Sequence, residues 1–364
     1  MTGSGIQLPE GAWIRTLRRK VLCWFDRSAR ELPWRASKTA YHVWVSEIML
    51  QQTQVATVLE FYPRFVARFP TIQVLAEADS GAVLRCWEGL GYYRRASQMH
   101  AAARQIVQYH DGQFPADIEQ ARALPGIGRY TAGAILSIAM EQRHPILEAN
   151  TTRLHCRLLA YAGAPNRAAG QRLLWSFAER LLPRRRVGDF NQALMELGSV
   201  ICTPRQPACV RCPVATLCPT HARGLQCRIP RVKKRAGAVS LHEAAVVIQR
   251  AGHVLIHRCA PGQRWAGLWD YPRFEVEPAQ PADLAPHLKR RVKELTGLTI
   301  SAPRHLATLH HTVTRFRISL SCHAATCRRA TLDKNGWQWV RITDLDDYPL
   351  SVTGRRISQL LAAS

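Results

Sequence analysis

Residues 202–218 read Cys202-Thr203-Pro204-Arg205-Gln206-Pro207-Ala208-Cys209-Val210-Arg211-Cys212-Pro213-Val214-Ala215-Thr216-Leu217-Cys218, four cysteines with six, two and five residues between them. Pro204, Pro207, Pro213 and Pro219 interrupt regular structure, so the stretch is a loop able to wrap one centre. Four thiolates are soft ligands that suit zinc or a cubane iron-sulfur cluster. Zinc more usually takes two paired Cys-x-x-Cys knuckles, and here there is one. The chain has 11 cysteines in all. In a reducing compartment such a cluster reads as a metal site rather than as disulfides, and the remaining scattered cysteines read as plain thiols.

Working outward, the segment from Trp13 to about Leu217 carries apolar residues at spacings of three and four, as in Val43, Trp44, Ile48 and then Val55, Val58, Leu59, Tyr62, Phe65. Gly and Pro fall at the joints, which predicts an all-helical region ending in the cysteine loop. Beyond the loop, 223–238 is rich in Arg, Lys and Gly and reads as an exposed basic linker, either a plain connector or an arm beside DNA. The period then changes to two. Residues 244–248 and 253–257 read as strands around a turn at Arg250 to Gly252, and 306–311, 316–321 and 337–340 read likewise. Residues 284–295 read as a helix closed by Gly297. The expected organisation is a helical domain over 1–222, a linker over 223–238 and an α+β domain over 239–364.

The 364 residues include 50 Lys+Arg against 26 Asp+Glu, a formal charge of +24, and 47% are hydrophobic. That excludes a disordered basic tail and points to a globular protein whose field favours a polyanion, nucleic acid first. No run is long and apolar enough for a membrane span, and Met1 to Pro9 lacks the apolar core of a signal peptide. An intracellular, cytoplasmic location is expected, with DNA as the partner.

Two further segments carry chemistry. Leu124-Pro125-Gly126-Ile127-Gly128 lies between a helix begun near Asp117 and another starting near Tyr130. Its glycines let backbone N–H groups approach a phosphate, although a plain interhelical turn fits the same residues. Among scarce acids, Glu47 sits between apolar neighbours that would desolvate it and raise its pKa, as a general acid requires; a helix-start carboxylate following Ser46 is the alternative. Glu148 precedes a helix that Asn150 or Thr151 could cap, where a carboxylate stays ionised. One protonated and one ionised carboxyl divide the labour of breaking a glycosidic bond.

The cysteine spacing resembles the 4Fe-4S loop of the endonuclease III and MutY family of DNA glycosylases. Across roughly Trp13 to Cys218 the chain resembles MutY-type adenine glycosylases. Leu32-Pro33-Trp34-Arg35, the Glu47 segment with Gln51-Gln52-Thr53-Gln54, Gly89-Leu90-Gly91-Tyr92-Tyr93 and Leu124 to Thr131 carry the likeness. The resemblance implies a helix-hairpin-helix glycosylase domain with a 4Fe-4S cluster on Cys202, Cys209, Cys212 and Cys218, followed by a Nudix-like α+β domain. It implies Glu47, Glu148, Tyr130 and Asn150 as the catalytic set, with Glu47 protonating adenine and activating water. Gly126, Gly128 and Arg129 would hold DNA backbone, and Gln52 and Tyr92 would wedge at the partner base. Their plainer readings are a solvated helix face and core packing.

Tyr130 stands where bifunctional relatives carry a nucleophilic lysine, so base removal without strand cleavage is expected. Glu148-Ala149-Asn150 replaces the family's Asp-Gly-Asn, and the extra methylene displaces the carboxylate by about 1 Å. The tail resembles the Nudix-like domain at Trp265 to Pro272 but keeps one glutamate, Glu294, of the metal-binding run, so pyrophosphate hydrolysis is not expected. Val313-Thr314-Arg315 replaces the family's Phe-Ser-His turn for 8-oxoguanine, leaving Thr314 as the hydroxyl. The expected function is excision of adenine opposite 8-oxoguanine or guanine in duplex DNA by a monomer. A thymine-mismatch glycosylase and a catalytically impaired iron-sulfur DNA-binding protein are the alternatives.

Overall fold

The computed structural model describes residues 8–231, 237–277, 281–328, 332 and 336–362. Most of the N-terminal segment read for a signal peptide, and linker residues 232–236, lie outside the described residues. Contacts divide the chain into one unit of Met1–Glu77 with Gln98–Lys234 and a second of Ala78–Ser97 with Arg235–Ser364.

The helices run in order α1 Gly11–Ser28, α2 Pro33–Ala36, α3 Ala40–Leu50, α4 Val55–Arg68, α5 Ile72–Glu77, α6 Ser80–Cys86, α7 Arg94–Tyr109, α8 Ile118–Ala123, α9 Arg129–Met140, α10 Ala149–Leu158, α11 Ala168–Leu181, α12 Val187–Val200 and α13 Pro219–Ala222. In α1 the buried positions Ile14, Leu17, Val21 and Phe25 recur at three and four, giving one apolar stripe. By contrast α3 is buried continuously from Val43 to Met49 and α9 from Thr131 to Ile138, so these two are central helices. They pack on each other, and α9 also packs on α12. Gly133 of α9 permits the close approach, since a Cβ there would stand 2.6 Å from the Pro145 carbonyl oxygen.

The second unit is built on a seven-stranded sheet ordered β3 (Trp269–Asp270), β2 (His253–Arg258), β1 (Val239–Arg250), β6 (Phe316–Thr326), β5 (Arg304–Val313), with β4 (Arg273–Glu275) on β1 and β7 (Trp337–Arg341) on β2. β1 and β6 are parallel and the other pairs antiparallel. Alternate β1 residues face opposite cores. Ala245 and Val247 meet Ile357 and Leu361 of α15 (Val352–Ala362), while Ala244, Val246 and Ile248 meet Leu288 and Val292 of α14 (Pro281–Thr296). Gly297 ends α14 with φ +77°, as expected of a C-cap. The five expected strands are present, and the two- and three-residue β3 and β4 are too short to carry a period.

Segment 78–97 is tied within this second unit. Glu88 accepts a two-pronged pair from Arg355 of α15, at 2.7 Å from Nε and 3.1 Å from Nη2, and Arg85 donates to the Asp346 carbonyl at 2.6 Å.

Candidate active site

An open cleft in the first unit, about 1880 Å³ with its solvent, is lined by residues from α2, α3, α4, α9, α10 and α12 together with Arg30, Leu32 and the turn at 51–54. It gathers Glu47, Gln52, Tyr130, Glu148 and Asn150. Glu47 is the eighth residue of α3 and only 6% exposed. The α3 N-cap is Thr39, and the Ser46 hydroxyl turns back onto the Val43 carbonyl, so the helix-start reading of Glu47 fails. Burial raises the Glu47 pKa to about 7; a hydrogen bond from Tyr130 lowers it, the charge of Glu148 raises it and Arg35 opposes.

Tyr130, second in α9, donates to Glu47 Oε2 at 2.5 Å, and its hydroxyl also touches Met195 Sδ at 3.2 Å. Burial and the two carboxylates beside it raise the phenol pKa well above 10, so it stays a donor.

Glu148 is itself the N-cap of α10, where Asn150 or Thr151 was expected to cap. Its carboxylate accepts the N–H of Asn150 at 2.7 Å and of Thr151 at 2.8 Å, while the Thr151 hydroxyl accepts the Glu148 N–H at 2.9 Å. This is a closed capping box with the acid and hydroxyl exchanged. Burial raises the Glu148 pKa, while both N–H bonds, Arg153 and the Thr151 side chain oppose that rise by favouring the charged form. Asn150 Oδ1 accepts from Arg153 at 2.9 Å, and the same guanidinium donates to the carbonyls of Gly198 (2.6 Å) and Cys202 (2.7 Å). Gly198 lets α12 press on this turn, since a Cβ there would be 2.8 Å from Asn150 Cβ.

Sequence reasoning missed Arg153, Arg30 and Glu196. Glu196 is 1% exposed and takes Arg30 at 2.6 and 2.9 Å and Arg35 at 2.9 Å. Against a burial that would raise it, these arginines hold its pKa below the usual carboxylate value. The signal available was an acid between Leu194, Met195 and Leu197, which is costly without a paired cation.

Gln52 lies in the exposed turn after α3 with φ +57°, not on a helix face. At the hairpin, Gly126 has φ +78°, open space surrounds the Cβ position of Gly128, and Arg129 lies 3.8 Å over the Trp175 ring. Asp117 caps α8 and Gly128 precedes α9, as the sequence indicates. Tyr92 and Thr314 belong to the second unit and do not line the cleft. Tyr92 is 47% exposed with φ +49°, so it is not core packing; Thr314 has φ +54° in the two-residue turn between β5 and β6.

Cys202, Cys209, Cys212 and Cys218 line one small cavity beside α10. Arg157 donates to the carbonyls of Cys202, Thr203, Pro204, Gln226 and Ile229 and to Cys202 Sγ at 3.2 Å, closing the loop around that cavity. Among the described residues no three of His, Cys, Asp and Glu are gathered as a single metal ion would need. The four thiols face one space, and a guanidinium donates to one of the sulfurs. Glu294, the lone acid of the degenerate Nudix run, is paired with Arg291 at 2.7 Å.

Residues 45–180 match the profile of the HhH-GPD superfamily of base excision DNA repair proteins, and 243–360 match the NUDIX domain. The rat adenine DNA glycosylase is 33% identical, over 89% of this chain and 74% of that protein. A Buchnera aphidicola adenine DNA glycosylase is 35% identical, over 72% of this chain and 76% of that protein. A thermostable thymine-DNA glycosylase shares the fold at TM-score 0.54 and 26% identity, over 58% of this chain and 98% of that one. An endonuclease III caught in a covalent complex with DNA aligns at TM-score 0.51 and 17% identity, over 60% of this chain and 100% of that one. The chain belongs to the adenine DNA glycosylase family of base excision repair, a helical HhH-GPD domain followed by a Nudix-like α+β domain.

Proposed function

We propose that this DNA N-glycosylase hydrolyses the bond between adenine and deoxyribose where adenine is mispaired with 8-oxoguanine or guanine in duplex DNA, and leaves the strand intact. The observation that carries the reading is the buried Glu47, bonded to Tyr130 at 2.5 Å in a cleft that also holds Glu148. With a pKa of about 7, Glu47 is about half protonated at neutral pH, and its protonated form gives the proton to a ring nitrogen of the flipped adenine. The C–N bonding pair leaves with the base. Glu148, held by two N–H groups at a helix N-terminus, faces the positive sugar as a carboxylate. Water then adds at the anomeric carbon and its proton passes to Glu47, so the enzyme returns to its starting state. Tyr130 orients Glu47 and Asn150 anchors the turn bearing Glu148. No lysine lines the cleft among the described residues, which supports hydrolysis over Schiff-base lyase chemistry.

The remaining assignments belong to the same reading. Gly126, Gly128 and Arg129 grip phosphate, Gln52 and Tyr92 act at the partner base, and Thr314 meets 8-oxoguanine. Cys202, Cys209, Cys212 and Cys218 hold a 4Fe-4S cluster, which iron and sulfide analysis tests; stoichiometric zinc overturns it. Along the sequence the domains run 1–222, 223–238 and 239–364, with 78–97 grouped by its contacts with the last, and the protein acts as an intracellular monomer associated with DNA.

The test is single-turnover excision on labelled duplexes carrying adenine opposite 8-oxoguanine, guanine or cytosine, and thymine opposite guanine. Strand scission appearing only after alkali, at adenine opposite 8-oxoguanine or guanine and lost in Glu47→Gln with binding kept, is the expected result. Scission without alkali, or excision of thymine, overturns it.

A further inference from the structure

Tyr92 stands on a turn that belongs to the second unit, and the contacts holding that turn are made by the C-terminal part of the chain. Glu88 is 8% and Arg355 13% exposed at the side chain, and the two form a forked pair. Arg355 is itself fixed by the carbonyls of Leu345 (2.9 Å) and Tyr348 (2.7 Å) and by Asp346 (2.6 Å). The Leu350 N–H reaches Glu88 at 3.4 Å. From Glu88 the chain enters Gly89, Leu90 and Gly91, with φ +102° and +76° at the two glycines. The Trp87 indole N–H holds the Gly91 carbonyl at 3.1 Å, and Arg95 donates to the same carbonyl at 3.1 Å while lying over the Tyr92 ring. Tyr92 then projects, half exposed, from a left-handed backbone that a non-glycine residue adopts only when its surroundings impose it.

We infer that Arg355, acting through Glu88, is a positioning residue for Tyr92: the Nudix-like unit sets the aim of the aromatic side chain that engages the partner base. The inference rests on the proposed role of Tyr92 at that base. A planar guanidinium fork resists rotation of the carboxylate it grips, which a single charge contact does not. Glu88 is therefore held in orientation as well as in place, one residue before the turn.

The experiment is a double-mutant cycle on the full-length protein, read as single-turnover excision of adenine opposite 8-oxoguanine. Glu88→Gln keeps the shape of the side chain and loses the ion pair, Arg355→Lys keeps the charge and loses the fork, and Tyr92→Ala removes the ring. The expected result is a loss of about tenfold for Glu88→Gln and for Tyr92→Ala, with the double variant no slower than Tyr92→Ala alone, because coupled residues do not add. Arg355→Lys is expected to lose as much as Glu88→Gln without a fall in Tm large enough to unfold the protein at the assay temperature. Losses that multiply in the double variant, or Glu88→Gln and Arg355→Lys both at full rate, overturn the inference. A full rate for Tyr92→Ala overturns the proposed role of Tyr92 instead, so the two failures are distinct. Unfolding of Arg355→Lys leaves the Glu88→Gln cycle to decide.

Discussion

Glu47 carries opposite demands. A buried carboxyl with a pKa of about 7 serves as an acid near neutrality, yet it weakens the fold once ionised. Its folded pKa lies above the ordinary 4.5, so its favourable contribution is complete below about pH 4.5 and is lost as pH rises through 7. The loss approaches about 3 kcal/mol at pH 8, from the shift between 4.5 and about 7. Glu47→Gln is therefore expected to unfold at a higher temperature than the wild type at pH 8 and at a similar one at pH 4.5; equal melting temperatures at pH 8 would show the shift to be absent. Excision has the matching signature. The single-turnover rate is expected to fall by about tenfold per pH unit above pH 7, because only protonated Glu47 gives up a proton. Tyr130→Phe removes the hydrogen bond that lowers this pKa, so the alkaline limb moves to higher pH; a limb moving to lower pH would assign the phenol the opposite role. Apolar neighbours at 43–50 made the burial of Glu47 readable from sequence. Tyr130, 83 positions away, is joined to it in the sequence only through the family resemblance, and no local spacing joins Arg30 to Glu196 across 166.

At the scale of elements, the site is made by helix termini brought against the side of α3. Glu148 illustrates what local sequence conceals: an acid before Ala149-Asn150-Thr151-Thr152 suggested a capped helix, but which residue caps depends on where the backbone first turns. The capping N–H groups fix both carboxylate oxygens of Glu148. Glu148→Asp, itself a good cap, is expected to keep excision within about threefold and Tm unchanged, whereas Glu148→Ala costs about 1 kcal/mol of stability and abolishes excision. A gain of about 100-fold in Glu148→Asp would show the wild-type carboxylate to be misplaced. The hairpin offers a parallel case, readable from its glycines but not for Trp175, which arrives from α11 to lie 3.8 Å from the Arg129 guanidinium. Trp175→Ala is expected to weaken duplex binding by about threefold to fivefold, as one exposed cation–π contact allows, and Trp175→Phe to restore most of it. Titration by fluorescence anisotropy at fixed salt checks this, and an unchanged affinity for Trp175→Ala would sever Arg129 from its stacking partner.

Across the whole molecule, the change of period from 3.6 to two marked the α+β region, but sequence periodicity assigns each segment to its neighbours in the chain. Segment 78–97 reads as one more helical stretch among others; only its contacts, Glu88 with Arg355 and Arg85 with the Asp346 carbonyl, place it with residues more than 250 positions away. Val83, Leu84 and Trp87 on this segment are 1%, 3% and 0% exposed, and Leu84 lies against the turn at Gly267. A chain ending at 231 would keep every residue of the cleft and the cysteine loop while stripping Glu88 of the Arg355 fork, with Arg85 as its remaining guanidinium, and Leu84 of its neighbour at Gly267. A buried carboxylate that loses its forked partner and keeps one contact is held less firmly, and a segment that loses apolar contact and part of its ion pairing opens locally before the rest unfolds. Limited trypsin digestion followed by mass spectrometry reads this directly. Cleavage after Arg85, which is engaged by both Glu88 and Asp346 in the full chain, is expected to become rapid in the shortened protein and to stay slow in the full-length one. Equal resistance in both would mean that 78–97 is held by the helical unit alone, and the C-terminal residues would then have no part in fixing the turn that carries Tyr92.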